Sequence, residues 1–169
     1  MNIHEPAFEF HVFDTLRPHA LFDLLKLRVD VFVVEQNCAY PELDSYDTAA
    51  STIHLLGYQG DTLIAYARAM PPVDLSIHNR HEEKLAVRIG RVVVAKQYRG
   101  TGIAHTLMTR LIEHLQELYP GLDQLLAAQT VVKSFYASLG FVPVTEAYLE
   151  DDIEHIDMRR DFAPVLIHC

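Results

Sequence analysis

Arg91-Val92-Val93-Val94-Ala95-Lys96-Gln97-Tyr98-Arg99-Gly100-Thr101-Gly102 joins an apolar, β-branched run to a glycine-containing loop, and leucines at helical spacing follow it. The three valines suit a buried strand. A tight loop after such a strand turns several backbone N–H groups the same way, and the helix behind it adds the positive end of its dipole. The junction is therefore a cradle for an anion such as a phosphate. Two familiar phosphate patterns do not fit. A P-loop needs two glycines with four residues between them, followed by Lys and Ser or Thr, and no such run occurs. A dinucleotide fingerprint needs a third glycine where His105 stands. What remains is Gln-x-x-Gly-x-Gly, filled by Gln97, Gly100 and Gly102. By itself this spacing also suits a plain tight connection.

Outward from the loop, the chain alternates strand and helix signals. Ile103, Leu107, Leu111, Leu115 and Leu118 predict one apolar stripe on a long helix that Pro120-Gly121 stops. Asp123 to Ala128 reads as a strand. Thr130 can cap a second helix whose Val132, Phe135, Tyr136 and Leu139 share a face, with Gly140 as its left-handed stop. Phe141 to Thr145 and Ile153 to Arg160 are expected as the last two strands. On the other side, Ala86 to Val94 is a strand, and Thr52 to Tyr58 and Thr62 to Met70 form a hairpin around Gln59-Gly60-Asp61. Pro71-Pro72 is expected to end the second of these. Phe8 to Phe13 alternates as a first strand. Pro18 opens a helix with Leu21, Leu24, Leu25, Arg28 and Phe32 facing inward. Asn37 to Ser51 has no periodicity and reads as a long functional or connecting loop.

At 169 residues, half of them hydrophobic, the chain predicts one domain over residues 1–169. No apolar run reaches bilayer-spanning length, and Met1 to Phe10 lacks the pattern of a secretory signal, so a cytoplasmic protein that does not enter a membrane is expected. Cys38 and Cys169 are too few for a disulfide framework and match no zinc spacing. His78 and His81 beside Glu82 and Glu83 are weak metal ligands at that separation, so no metal is expected. A formal net charge of −9 argues against nucleic-acid binding and favours a cationic small molecule. Lys96 and Arg99 flank the cradle despite that charge, which suits either a polyanionic ligand or ordinary loop solubility.

Gln97-x-x-Gly100-x-Gly102 between a valine strand and a leucine-striped helix resembles the acyl-CoA signature of the GNAT family of N-acetyltransferases. Ser134-Phe135-Tyr136 with Gly140-Phe141 resembles the family's second cofactor element. The runs Val31-Phe-Val-Val-Glu35-Gln36-Asn37-Cys38, Ala128-Gln129, Pro143-Val144 and Glu150-Asp151 with His155 resemble its ElaA-like branch. The resemblance covers most of the chain. It implies a single-domain α/β fold with a central mixed, mostly antiparallel sheet flanked by helices. It also implies acetyl-CoA as acyl donor, with Gln97, Arg99, Gly100, Thr101 and Gly102 on the pyrophosphate. The backbone of Val92, Val93 and Val94 would lie along the pantetheine arm, and Ser134 and Phe135 beside the cofactor.

Direct acyl transfer from a thioester to an amine needs a neutral amine, a polarised carbonyl and a proton for the departing thiolate. Tyr136 is the candidate acid, and it is equally well explained as a core aromatic. Glu35 is the first candidate base, or else a solvated glutamate at a helix end. His155 is a second candidate for proton transfer. Arg68 and Gln129 could orient the acceptor, and both also have packing explanations. The acidic run Glu146 to Asp157 reads as a solvated edge whose field favours cationic acceptors. Neither cysteine sits with an activating histidine, so no acyl-enzyme is expected. The rival readings are a non-catalytic acyl-CoA sensor and an adenine-nucleotide binder, and strand edges near the C-terminus could pair a homodimer.

Overall fold

The computed structural model describes residues 5–74 and 85–162. They fall into two compact units, one of residues 5–71 and 90–111, the other of residues 72–74, 85–89 and 112–162. The elements run β1 (Ala7–His11), α1 (Pro18–Arg28), a π-helical stretch (Val29–Glu35), a 3-10 turn (Ser45–Thr48), β2 (Ile53–Gln59), β3 (Thr62–Asp74) and β4 (Leu85–Val94). After these come α2 (Ile103–Leu118), β5 (Asp123–Gln129), α3 (Lys133–Ser138), β6 (Val142–Pro143), β7 (Tyr148–Glu150) and β8 (Ile153–Arg160).

In the first unit the strand order is β1-β2-β3-β4, with β1 and β3 antiparallel to β2. Gly57 makes room for its neighbours within the sheet: a Cβ there would lie 2.9 Å from the ring of Phe8 and 3.2 Å from the methyl of Ala65, the residues opposite it on β1 and β3. Leu24, Leu27 and Val31 pack with Leu56, Leu63, Tyr66 and Val93 as a core. The buried face of α1 thus runs through Leu27 and Val31, with Leu21, Leu25 and Phe32 only partly buried against it. After Arg28 the helix widens into i→i+5 bonds, from Gln36 N–H to the Val31 carbonyl (3.1 Å) and from Cys38 N–H to that of Val33 (3.2 Å). A wider turn shifts every later side chain around the axis, which a regular 3.6-residue reading does not foresee.

The second unit holds the order β4-β5-β8-β6, with β7 also on β8. β5 runs parallel to β4 from Ala86↔Asp123 to Ile89↔Leu126 and antiparallel to β8. Parallel neighbours need a crossover, and α2 provides it. The sheet is therefore mixed and mostly antiparallel, as expected for an α/β fold of this kind.

Several local expectations change. β3 continues through Pro71-Pro72, because its pairing with β2 ends at Ile53↔Ala69 and the missing proline N–H groups remove no bond from that ladder. Leu118, the last residue of α2, is 45% exposed and lies outside the buried stripe. Thr130 opens a 3-10 turn and donates its hydroxyl to Glu154 (2.7 Å) instead of capping α3. β7 has no counterpart in the sequence pattern: Asp151 (φ 50°) and Asp152 (φ 62°) form a two-residue turn into β8, a left-handed pair that suits the twist of a hairpin. Cys38 is a thiol outside any disulfide. His78, His81, Glu82, Glu83 and Cys169 lie outside the described residues, and no described helix is long and apolar enough to cross a membrane.

Candidate functional site

The first unit carries the cradle. Lys96–Tyr98 make a 3-10 turn after β4, with Tyr98 N–H bonded to the Ala95 carbonyl (2.9 Å). Gly100 (φ 74°) and Gly102 (φ 87°) take left-handed conformations that a side chain would strain. The Thr101 hydroxyl donates to the Tyr98 carbonyl (2.6 Å) and ties the loop to itself. Thr106 N–H makes its bond to the Gly102 carbonyl (3.1 Å), so the amides of the residues just before it have no acceptor within the helix. Gln97, Arg99, Gly100, Thr101 and Gly102 are exposed, whereas Val93 and Val94 are buried and Val92 is half-buried. Beside Val92, Arg91 has φ 54°, a left-handed kink within β4 where a strand residue would ordinarily be extended.

Arg99 lies at the centre of this loop. Its Nε donates to the Val94 carbonyl (3.0 Å), and its Nη1 and Nη2 meet the two carboxylate oxygens of Glu35 at 2.5 and 3.1 Å. Glu35, expected as a base, is thus joined to a residue of the cradle. The hydrogen bond from Arg99 holds its carboxyl below the usual range, with the charges of Arg99 and Lys96 acting the same way. A carboxylate so stabilised is a weaker base than a free one.

The second unit carries the other candidates. Tyr136 is buried on α3 with its ring edge-on to Phe135 (centroids 5.0 Å apart) and Phe141 (6.2 Å). Burial pushes its phenol up to about 12, so it holds its proton at neutral pH. Ser134 is exposed on the same helix. Gln129 and His155 are brought together as opposed residues of β5 and β8, and His155 also faces Tyr148 of β7, their rings stacked 6.3 Å apart. His155 Nδ1 lies 2.8 Å from the Ile153 carbonyl. A carbonyl only accepts, so that nitrogen carries the hydrogen and Nε2 is the basic nitrogen of the neutral ring.

Residues 44–162 match the family model described as Acetyltransferase (GNAT) domain. The chain belongs to the GNAT acetyltransferase family. Among relatives of this GNAT chain, Protein ElaA of Escherichia coli K12 is 41% identical over 141 residues, covering 83% of this chain and 87% of ElaA. The crystal structure of an acyl-CoA N-acyltransferase from Pseudomonas aeruginosa superimposes with a TM-score of 0.81 at 40% identity, covering 92% of this chain and 99% of that one. The crystal structure of Escherichia coli ElaA gives the same TM-score of 0.81 at 37% identity, again covering 92% and 99%. Members of the family are acyltransferases that use acyl-CoA donors, and the ElaA-like assignment follows from these homologues.

Arg68, a candidate for orienting the acceptor or for packing, is bonded to two aspartates. Arg68 is 2% exposed, its Nη1 bonded to Asp44 (2.7 Å) and Asp47 (2.6 Å) and its Nη2 to Asp44 (2.8 Å). It belongs to a network that sequence reasoning missed. Arg28, fully buried, binds Glu42 through Nε (2.6 Å), the Glu42 carbonyl through Nη2 (2.9 Å) and Asp47 through Nη1 (2.6 Å). Arg91 Nε stands 2.9 Å from the other Glu42 oxygen, which also accepts from Tyr40. The irregular segment between α1 and β2 is therefore held by charges on α1, β3 and β4. Burial disfavours ionised Asp47, yet the Arg28 bond, the Asp44 N–H and the charges of both arginines outweigh it and bring its pKa down to about 2. The available signal was an arginine on the apolar face of a helix and another inside an apolar strand, since a buried charge needs a partner. The acidic run is also less uniform than expected: Asp157 is 5% exposed and accepts the Tyr148 hydroxyl (2.5 Å).

Proposed function

We propose that this chain is one acyl-CoA N-acyltransferase domain over residues 1–169 that moves acetyl from acetyl-CoA directly to a primary amine, on a small or cationic acceptor. The observation that carries this reading is the cradle. Within a GNAT member, Gly100 and Gly102 take left-handed conformations immediately before a 16-residue helix, and Arg99 stands fixed beside them. Amides at a helix start together with a guanidinium suit the pyrophosphate of CoA. Gln97 and Thr101 complete that loop, and the β4 backbone at Val92, Val93 and Val94 would follow the pantetheine arm. Ser134 and Phe135 would border the cofactor from α3.

In the reaction the amine nitrogen attacks the thioester carbonyl, the C–S bond breaks, the nitrogen loses a proton and the thiolate gains one. Tyr136 is the proposed acid. Its phenol, pushed up to about 12, is a weaker acid than a thiol at about 8.5. Tyr136 therefore stabilises the departing sulfur through a hydrogen bond more than by complete transfer at equilibrium. His155 Nε2 is the proposed acceptor of the amine proton, with Gln129 opposite it orienting the acceptor. The surplus of negative charge on the chain favours a cationic acceptor.

Tyr136→Phe tests the catalytic part of this reading. Ring packing is kept and only the hydroxyl is lost, so acetyl-CoA affinity should be unaltered while turnover, followed as free thiol, falls about 10- to 100-fold. Unchanged turnover would remove Tyr136 as the acid and leave it as a core aromatic.

A further inference from the structure

We infer that Glu35 is a positioning residue for the acyl donor: with the Val94 carbonyl it clamps Arg99 so that a remaining guanidinium N–H is presented in a fixed direction to a phosphate oxygen of CoA. The inference rests on the acyl-CoA reading of the cradle. A guanidinium has five N–H donors in a rigid fork. In Arg99, Nε donates to Val94, and one N–H each of Nη1 and Nη2 goes to Glu35, so the three bonds fix both the direction of the side chain and the plane of its head. One N–H on each Nη is left over by this count; the two lie on opposite edges of the planar head, so each is offered to a separate anionic oxygen.

Stability is a poor explanation for the clamp. The Arg99 and Glu35 side chains are 40% and 33% exposed, and ion pairs open to water contribute little to folding. What the pair supplies is order. A long arginine side chain that is already held loses less rotamer freedom when a ligand arrives. The clamp also explains why Glu35 stands at the end of the π-helical stretch. The wide turn from Val29 to Glu35 sets where the carboxylate emerges, and Gln36 N–H bonded to the Val31 carbonyl at 3.1 Å secures that end. Lys96, close enough to act on the Glu35 charge, keeps the group net positive with Arg99 neutralised by its partner.

The experiment is calorimetric titration of wild type, Glu35→Ala, Glu35→Gln, Arg99→Ala and the Glu35→Ala/Arg99→Ala double variant with CoA and with pantetheine, which has the thiol arm but no phosphate. Glu35→Ala is expected to weaken CoA about fivefold. Glu35→Gln, which keeps an acceptor for Arg99, should recover most of that loss. The double variant should bind no more weakly than Arg99→Ala alone, because the two residues act as one unit. Pantetheine affinity should not respond to any of them. CoA binding by Glu35→Ala as tight as wild type, or tighter, would overturn the inference while leaving the acyl-CoA reading in place. Equal losses of turnover with acetyl-CoA and acetyl-pantetheine, at unaltered CoA affinity, would overturn it in favour of a base. Wild-type protein that binds no CoA would overturn the acyl-CoA reading itself.

Discussion

His54 is 1% exposed on β2, and its Nδ1 shares a hydrogen bond of 2.8 Å with the Tyr66 hydroxyl. Burial is the main reason its pKa falls from 6.5 to about 4, the charges of Arg68 and Arg28 add to that, and Asp47 opposes it. Between those two values an unfolded chain binds a proton at this site that the folded chain does not. The contribution of His54 is therefore complete above pH 6.5 and is lost as pH falls towards 4. Asp47 acts lower: its stabilising share is present above its unfolded value of 3.8 and disappears as pH falls through about 2. His54→Gln can keep a bond to Tyr66 but cannot titrate. Urea unfolding of the variant and the wild type from about pH 7 to about pH 4 should show that the variant lacks part of the wild-type decline. Parallel stability profiles would mean that His54 carries a proton in the folded state as readily as in the unfolded one.

At the scale of elements, the β4–loop–α2 unit is the proposed site of the acyl donor. α2 holds its place through Ile103, Leu107, Leu111 and Leu115, all buried, and the loop before it depends on two left-handed glycines. A Cβ added at Gly102 would meet nothing within 4 Å, so the effect of Gly102→Ala comes from the backbone alone. Holding an alanine in this left-handed conformation costs about 1 kcal/mol or somewhat more. The loop can relieve that cost by moving its amides out of the cradle. CoA affinity measured by calorimetry should therefore fall, while the circular dichroism spectrum of the variant matches wild type. Undiminished CoA affinity in a folded variant would show that the loop tolerates another conformation and that its amides do not set the site. The β7–β8 hairpin illustrates the reverse case, in which two adjacent aspartates take a conformation more often given to Asn-Gly.

At the scale of the whole chain, the strand and helix sequence was legible because most segments bury one regular face. The stripe Ile103, Leu107, Leu111 and Leu115 and the valines of β4 needed only periodicity, and the glycine loop between them needed only spacing. The π-helical turn after Arg28 was not legible, since an i→i+5 bond leaves no mark in a 3.6-residue pattern. Nor was the network of Arg28, Arg68 and Arg91 with Glu42, Asp44 and Asp47, because acids in an aperiodic segment look like ordinary loop residues until the burial of their partners is known. For the same reason the bonds of Arg68 to Asp44 and Asp47, and of Glu35 to Arg99, left no sign in the sequence. The glycine loop was visible as local sequence; the partners of these charged residues were a matter of tertiary placement. The residues proposed for the acceptor are few and scattered, and Gln129 and His155 are brought together only by the pairing of β5 with β8. The most direct measurement is release of free CoA thiol from acetyl-CoA by the purified protein across a panel of polyamines, amino acids and other primary amines, with thermal shift against acetyl-CoA, ATP and NAD in parallel. The account predicts stabilisation by acetyl-CoA and amine-dependent thiol release, greatest with cationic acceptors. Stabilisation by the nucleotides alone, with no thiol released for any amine, would contradict it.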